Sequence, residues 1–305
     1  MTAAAPRVLL LFLDGVGVGA EDPDINPFLR ARIPTLLELM GGKVPTLERP
    51  SNGGSHGGAF PLSATLDVAG LPQSGTGQVA LLTGESAAEL HGRHFGPWTP
   101  VRLRPLVERR SLLRRAVDAG RRVAFANAYP RWWPGPRGSR RIAGPPLAAQ
   151  GAGILTRHEE ALGSGDAVSS EIVNDAWRDR LGYAWLPVIT AQQAGANLAR
   201  IASEHDLTLY AHYSTDTAGH GGTMEQAIEA LERVDAFVEG VVNGLGPEVL
   251  LLIASDHGNL EDVTVGHTTN PALGVATGPC AGLASEMRDL RSVCPFILGL
   301  MGIES

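Results

Sequence analysis

Three acids and three histidines stand where apolar runs give out. Asp14 closes the run Val8–Leu13. Asp216 and His220 lie in Asp216-Thr217-Ala218-Gly219-His220, just beyond the apolar stretch Leu207–His212. Asp256 and His257 open Asp256-His257-Gly258-Asn259 after Val249–Ala254, and His267 follows ten residues later in Gly266-His267-Thr268-Thr269-Asn270-Pro271. Mixed imidazole and carboxylate ligands suit Mn²⁺ or Zn²⁺ better than Mg²⁺ or Ca²⁺, which favour all-oxygen ligation. Each residue alone has a plainer reading, because an acid after a strand commonly caps a turn and an Asp-His pair commonly faces solvent. Their joint placement at strand ends favours a metal centre.

A nucleophile candidate lies in Gly70-Leu71-Pro72-Gln73-Ser74-Gly75-Thr76-Gly77-Gln78. A serine on a glycine-rich turn that opens a helix exposes its oxygen, and the neighbouring amides can hold an anion. A metal on that oxygen would lower its pKa and make it nucleophilic at neutral pH. Thr76 competes for the role on these local grounds, and a simple helix-capping serine is the alternative to both.

Such a site needs a scaffold that brings distant strand ends together. Val8–Leu13, Leu207–His212 and Val249–Ala254 read as strands buried on both faces, as in a parallel sheet. Helices are expected at Pro34–Met40, Gly77–Thr83, Pro105–Ala119, Thr190–His205 and Thr223–Asn243, the last with Thr223 as cap and Gln226 three residues on. Ser51–Gly58 reads as a flexible loop, Ala64–Val68 and Val123–Ala126 as strands, and Arg131–Pro146 as an ordered loop. The fold class expected is therefore α/β: a mostly parallel central sheet flanked by helices, with a small inserted α+β cap. Residues 1–90 and 187–305 would form the metal-binding core and residues 91–186 the cap. In such sheets ligands bind beyond the carboxyl ends of the strands.

The whole chain narrows the classes further. Its 305 residues, 44% of them hydrophobic, can build a sizeable core and exclude a mostly disordered protein. Two cysteines, Cys280 and Cys294, cannot frame a disulfide-stapled fold and read as reduced, buried thiols of a cytoplasmic protein. The run Val8–Leu13 is too short for a membrane span, so no membrane attachment is expected. A net charge of −7 argues against nucleic-acid binding but hides an asymmetry. Of 24 arginines, 13 lie between Arg93 and Arg141, opposed only by Glu108 and Asp118. This segment is either a solvated helix face or a surface for phosphate and carboxylate groups. On the second reading, some of Arg93, Arg121, Arg122, Arg131, Arg137, Arg140 and Arg141 face the metal cleft and clamp the substrate.

With these motifs in hand, the chain resembles the alkaline phosphatase superfamily, most of all cofactor-independent phosphoglycerate mutase and then phosphopentomutase. The resemblance rests on Leu13-Asp14-Gly15, on Asp216-Thr-Ala-Gly-His220-Gly-Gly-Thr-Met-Glu225, on Ser255-Asp256-His257-Gly258-Asn259-Leu260-Glu261, and on His267-Thr268-Thr269-Asn270-Pro271. It implies that Asp14, Ser74, Asp256 and His257 hold one metal, and that Asp216, His220 and His267 hold the other. It also makes Ser74 the nucleophile in phosphoryl transfer on a small phosphate ester, through a phosphoserine. Two departures weaken any transfer of substrate identity: Gln73 stands where the mutase has Asn, and the cap is much smaller. Phosphodiesterases and nucleotide pyrophosphatases of the same superfamily share the Asp-x-x-x-His spacing, and Trp132 and Trp133 could stack a base. A catalytically silent protein that docks an anionic partner is the reading from another class, opposed by the mutual repulsion of three unused buried carboxylates.

Overall fold

In the computed structural model, which describes residues 5–135 and 141–304, the apolar runs become strands of one seven-stranded sheet. The strands are β1 (Arg7–Leu13), β2 (Asn52–Gly54), β3 (Gly57–Leu62), β4 (Val123–Phe125), β5 (Leu207–His212), β6 (Val249–Ser255) and β7 (Ala272–Thr277). Their order across the sheet is β2-β3-β7-β6-β1-β5-β4. β6, β1, β5 and β4 are mutually parallel, whereas β7, β3 and β2 add on with antiparallel pairings. The sheet is thus mixed, with a parallel half that carries the site. The cause lies in the connection from β6 to β7. It contains no crossover helix, which a parallel return would need, and it folds back on itself at the sheet end.

Alternate residues of β1 feed two cores. Val8, Leu10 and Phe12 join one apolar cluster with the helices Ser74–Thr83, Gly144–Gly151 and Val293–Leu300. Leu9, Leu11 and Leu13 face the other, built with Ala191–Ser203 and Met224–Gly244. Cover on both faces explains why these strands read as unbroken apolar runs. The Thr223 hydroxyl accepts a hydrogen bond from the Gln226 amide while the Thr223 amide donates one to Gln226 Oε1, so the capping box read from sequence forms.

Several expectations change. Ala64–Val68 is a turn, with Leu66 and Asp67 at φ 50° and 59°, and Ser51–Gly58 is not a loop but the β2–β3 hairpin. Pro105–Ala119 splits into helices Arg104–Arg110 and Leu112–Asp118, because Ser111 turns extended (φ −62°, ψ 153°) and its hydroxyl caps the second. Cys280 is exposed and only Cys294 is buried. The sheet does not stop at residue 91: β4 pairs with β5, and Leu103, Val107, Leu112 and Leu147 enter the core cluster beside Phe12. A separate small cluster of Ala128, Leu162, Ala167, Trp177 and Leu186 lies in the same 91–186 stretch. Among the described residues, no helix is long and apolar enough to cross a membrane.

Candidate metal centre

β1 lies between β5 and β6, and all three run parallel, so their carboxyl ends meet. Asp14 follows β1 directly, Asp216 sits on the short helix Ser214–Gly219 after β5, and Asp256 and His257 follow β6. His257 is the middle of the cluster. Its Nε2 lies 3.3 Å from Asp14 Oδ1, 3.7 Å from Asp256 Oδ1 and 3.8 Å from Asp216 Oδ1. His267, on the loop returning to β7, brings Nε2 to 3.8 Å from Asp216 Oδ1. His220 Nε2 is 3.4 Å from that oxygen and 2.8 Å from His267 Nε2. Ligand atoms of Asp14, Asp256 and His257 all lie within 4.8 Å of one another, as do those of Asp216, His257 and His267.

The nucleophile candidates separate here. Ser74 opens the helix Ser74–Thr83, and its Oγ is 3.0 Å from His257 Nε2. The hydroxyl of Thr76 instead accepts from the Phe95 amide and faces the Gln73 carbonyl, away from the acids. Glycine permits the close approach. A Cβ on Gly77 would stand 2.6 Å from the Asp256 carbonyl oxygen, and one on Gly15 (φ +68°) would stand 2.5 Å from Asp216 Oδ1.

Neighbouring groups orient the ligands. His257 and His267 each donate from Nδ1 to a backbone carbonyl, of Gly258 (3.2 Å) and Pro72 (2.7 Å), which turns both Nε2 atoms into the cluster. Gln78 donates to Asp14 Oδ2 (3.2 Å) and accepts from Gly144, while Asn259 donates to Asp216 Oδ1 (2.6 Å). Sequence reasoning assigned no role to Gln78, which closes the nucleophile stretch, nor to Asn259 and Glu261, which lie inside the Asp256-His257 motif. Gln73, noted only as a departure, places its amide 2.8 Å from His267 Nδ1.

Electrostatically the cluster is short of positive charge. Burial raises the carboxyl of Asp14 and lifts that of Asp256 well above the usual carboxylate range, the latter also through Asp14. Burial alone would lower His257, but the carboxylates of Asp256, Asp14 and Asp216 outweigh it and hold the imidazole at about 10. Burial and the nearby His257 push His267 down to about 4. Asp14 Oδ1, Asp256 Oδ2 and Asn259 Oδ1 are buried without hydrogen-bond partners among the described residues. Orphaned acid oxygens beside imidazole nitrogens that face one another are what divalent cations satisfy, so the residues fit the metals expected of them.

The arginines divide differently from the expectation. Arg121 and Arg122 precede β4, at the amino edge of the parallel strands and so opposite the ligands. Arg121 donates to the Met301 carbonyl, and Arg122 pairs with Asp206 at 3.0 Å. Arg131 pairs with Glu160 at 2.7 Å and lies near Glu159. Arg121 and Arg122 thus hold the edge opposite the cleft, and Arg131 is paired with two acids of its own stretch. Arg93 is exposed and lines a cavity of about 490 Å³ with Gln73, His94 and Phe95, beside the Ser74 turn. Arg141 is exposed, and Arg137 and Arg140 lie outside the described residues. Trp133 packs on Tyr129 with centroids 4.4 Å apart, leaving only Trp132 outward.

Carboxylates and imidazoles converging beyond the parallel strand ends define an α/β metal-binding protein. Comparison with known proteins sharpens this. A sequence model described as the metalloenzyme superfamily matches residues 182–296. The 2,3-bisphosphoglycerate-independent phosphoglycerate mutase of Syntrophotalea carbinolica is 36% identical over 119 residues, covering 36% of this chain and 23% of that protein. The mutase of the same description from Halobacterium salinarum is 31% identical over 118 residues, covering 35% and 23%. The matched stretch thus spans less than a quarter of these curated relatives. Among solved structures, the PH0037 protein from Pyrococcus horikoshii has a TM-score of 0.60 at 12% identity, covering 99% of this chain and 98% of that one. The alkaline phosphatase of Thermus thermophilus has a TM-score of 0.53 at 11% identity, covering 99% and 93%; both likenesses concern the fold alone. Residues 182–296 are thus similar to metalloenzyme-superfamily sequences, and the chain as a whole has an alkaline phosphatase-like fold.

Proposed function

We propose that this protein transfers a phosphoryl group from a small phosphate ester through a phosphoserine at Ser74. The observation that supports this most is the Ser74 hydroxyl, 3.0 Å from His257 and at a helix N-terminus, inside a cluster of three acids and three imidazoles. Asp14, Ser74, Asp256 and His257 would hold one divalent ion and Asp216, His220 and His267 a second, Mn²⁺ or Zn²⁺ by ligand type. Bound there, the ions supply Lewis-acid charge that lowers the serine pKa and neutralises phosphoryl oxygens. Ser74 Oγ attacks phosphorus in line as its proton leaves, the ester oxygen departs with the bonding pair and takes up a proton, and phosphoserine remains. The positive end of the Ser74–Thr83 helix favours the anion held against it.

The second half of the reaction returns the phosphoryl group to another hydroxyl, as in a mutase, or passes it to water, as in a phosphatase. Shielding by residues 91–186 decides between them, and the likeness of the metal-ligand motifs favours the mutase-like course. The same stretch, with Arg93 beside the nucleophile turn, would contact the substrate. Sugar phosphates, phosphoglycerates and nucleotides assayed with Mn²⁺ separate the monoester reading from a phosphodiesterase. In the Ser74→Ala variant, turnover should vanish while metal content stays near that of the wild type, and acid-quenched wild type should yield phosphoserine at position 74 by mass spectrometry. Retention of more than a tenth of the rate, a barrier change of only ~1.4 kcal/mol, would exclude Ser74 as nucleophile.

A further inference from the structure

Glu261 is wholly buried, and among the described residues no cation pairs with it. Its carboxylate is instead satisfied by four donors. Oε2 accepts from the backbone amides of Gly17 (3.0 Å) and Asn259 (2.7 Å), and Oε1 accepts from the Thr268 hydroxyl (2.6 Å) and the Asn270 amide group (3.0 Å). Each donor belongs to a segment that delivers a metal-ligand candidate. Gly17 follows Asp14, Asn259 follows His257, and Thr268 adjoins His267. The fit leaves no slack, since a Cβ on Gly17 or Gly258 would stand 2.4 Å from the Glu261 carboxyl group.

The two oxygens do unequal work. The Gly17 and Asn259 segments are already bound to each other by the β1–β6 ladder and by Gly15 to Asp256, Val16 to Ser255 and Leu260 to Gly15. The stretch that carries His267 lies off the sheet beyond Glu261 and rejoins it only at β7. Apart from Glu261, and among the described residues, its ties near His267 are Thr268 to the Gly258 carbonyl, the Pro271 carbonyl to Val18, and the contacts of His267 itself with Pro72, Gln73 and His220. The Oε1 side therefore acts on His267, and the Oε2 side on ligands that are held anyway.

Building on the two-metal reading above, we infer that Glu261 is a positioning residue that fixes His267 through Thr268 and Asn270 and so sets the affinity of one metal position, Asp216/His220/His267, independently of the other. The role is one of hydrogen-bond geometry. A glutamine at 261 can keep its oxygen on the two fixed backbone amides and turn its NH₂ to the Thr268 hydroxyl, which can rotate to accept, and to Asn270, whose amide can flip to present its oxygen.

Calorimetric titration of the metal-free full chain with Mn²⁺, and separately with Zn²⁺, tests this. Wild type should take two equivalents. Thr268→Ala should weaken one equivalent about ten- to a hundredfold, the usual cost of losing an outer partner, and leave the other within about twofold. Glu261→Ala should show the same split more strongly, and Glu261→Gln should largely restore the weaker equivalent. The inference is overturned if Thr268→Ala leaves both equivalents at wild-type affinity, or weakens both alike in step with a fall in Tm. Should Glu261→Ala fail to fold, Thr268→Ala decides the matter alone. A wild-type chain that binds fewer than two equivalents defeats the two-metal reading itself, a result distinct from either.

Discussion

Arg121 donates to the Met301 carbonyl and Arg115 to that of Glu304, so two guanidinium groups of the basic stretch hold the C-terminal turn. Cations near the last carbonyls of a helix also oppose its dipole, which suits them to the end of Val293–Leu300. Arg121→Ala should therefore lower Tm by about 1–2 °C, from a cost of about 0.5–1 kcal/mol for a partly screened contact. Arg122→Ala, which breaks an exposed pair with Asp206, should change Tm hardly at all. Both should leave kcat/KM within about twofold, and a tenfold loss at either would return these residues to the substrate. The sequence marked the arginines as unusual but not their partners, because Met301 lies 180 positions from Arg121. The ligand candidates were legible for the opposite reason. Each stands within a few residues of an apolar run, so a local pattern reports a position that the sheet then makes spatial.

Among the elements, legibility followed the strength of local signals. The helix Met224–Gly244 has a long apolar stripe and a reciprocal cap, and its start was readable to the residue. Its N-terminus follows the Asp216–His220 loop directly, so the cap fixes where that loop ends. Thr223→Ala removes an acceptor from the Gln226 amide and should cost about 1 kcal/mol. Urea unfolding should show this as a lower midpoint with an unchanged slope, and Thr223→Ser should restore most of it. An unchanged midpoint would mean that the cap contributes nothing. Ala64–Val68 misled because a β-like composition can sit in a turn once Ser63 pairs with Asp289 and the chain must reverse. Pro105–Ala119 misled because only the extended backbone of Ser111, invisible in a helical pattern, divides it. The antiparallel half of the sheet was hidden too, since nothing local says that the 256–271 connection folds back at the sheet end.

At the scale of the whole molecule, the site exists only through the sheet order. The stretch matched by the superfamily model contains Asp216, His220, Asp256, His257 and His267, whereas Asp14 and Ser74 lie far upstream and reach them because β1 lies between β5 and β6. Folding thus gathers three carboxylates that repel one another until cations arrive, and metal should stabilise the fold. At metal a hundredfold above Kd the gain is about 2.7 kcal/mol, or about 4 °C in Tm at ~2.1 cal/mol/K of unfolding entropy per residue. The gain should depend on pH in a fixed direction. In the metal-free fold Asp14 and Asp256 are raised, so that fold binds more protons than the unfolded chain at acid pH and gains stability as pH falls. His257 is raised from 6.5 to about 10, so its contribution to the metal-free fold is full below 6.5 and is lost as pH rises through about 10. Metal needs all three groups deprotonated and must displace those protons. The difference in Tm with and without Mn²⁺ should therefore widen from pH 5 to pH 9, mostly because the metal-free protein weakens. Thermal scans of chelated and metal-loaded protein across that range would show it. A gap that stays constant with pH would mean that these groups are not the ligands.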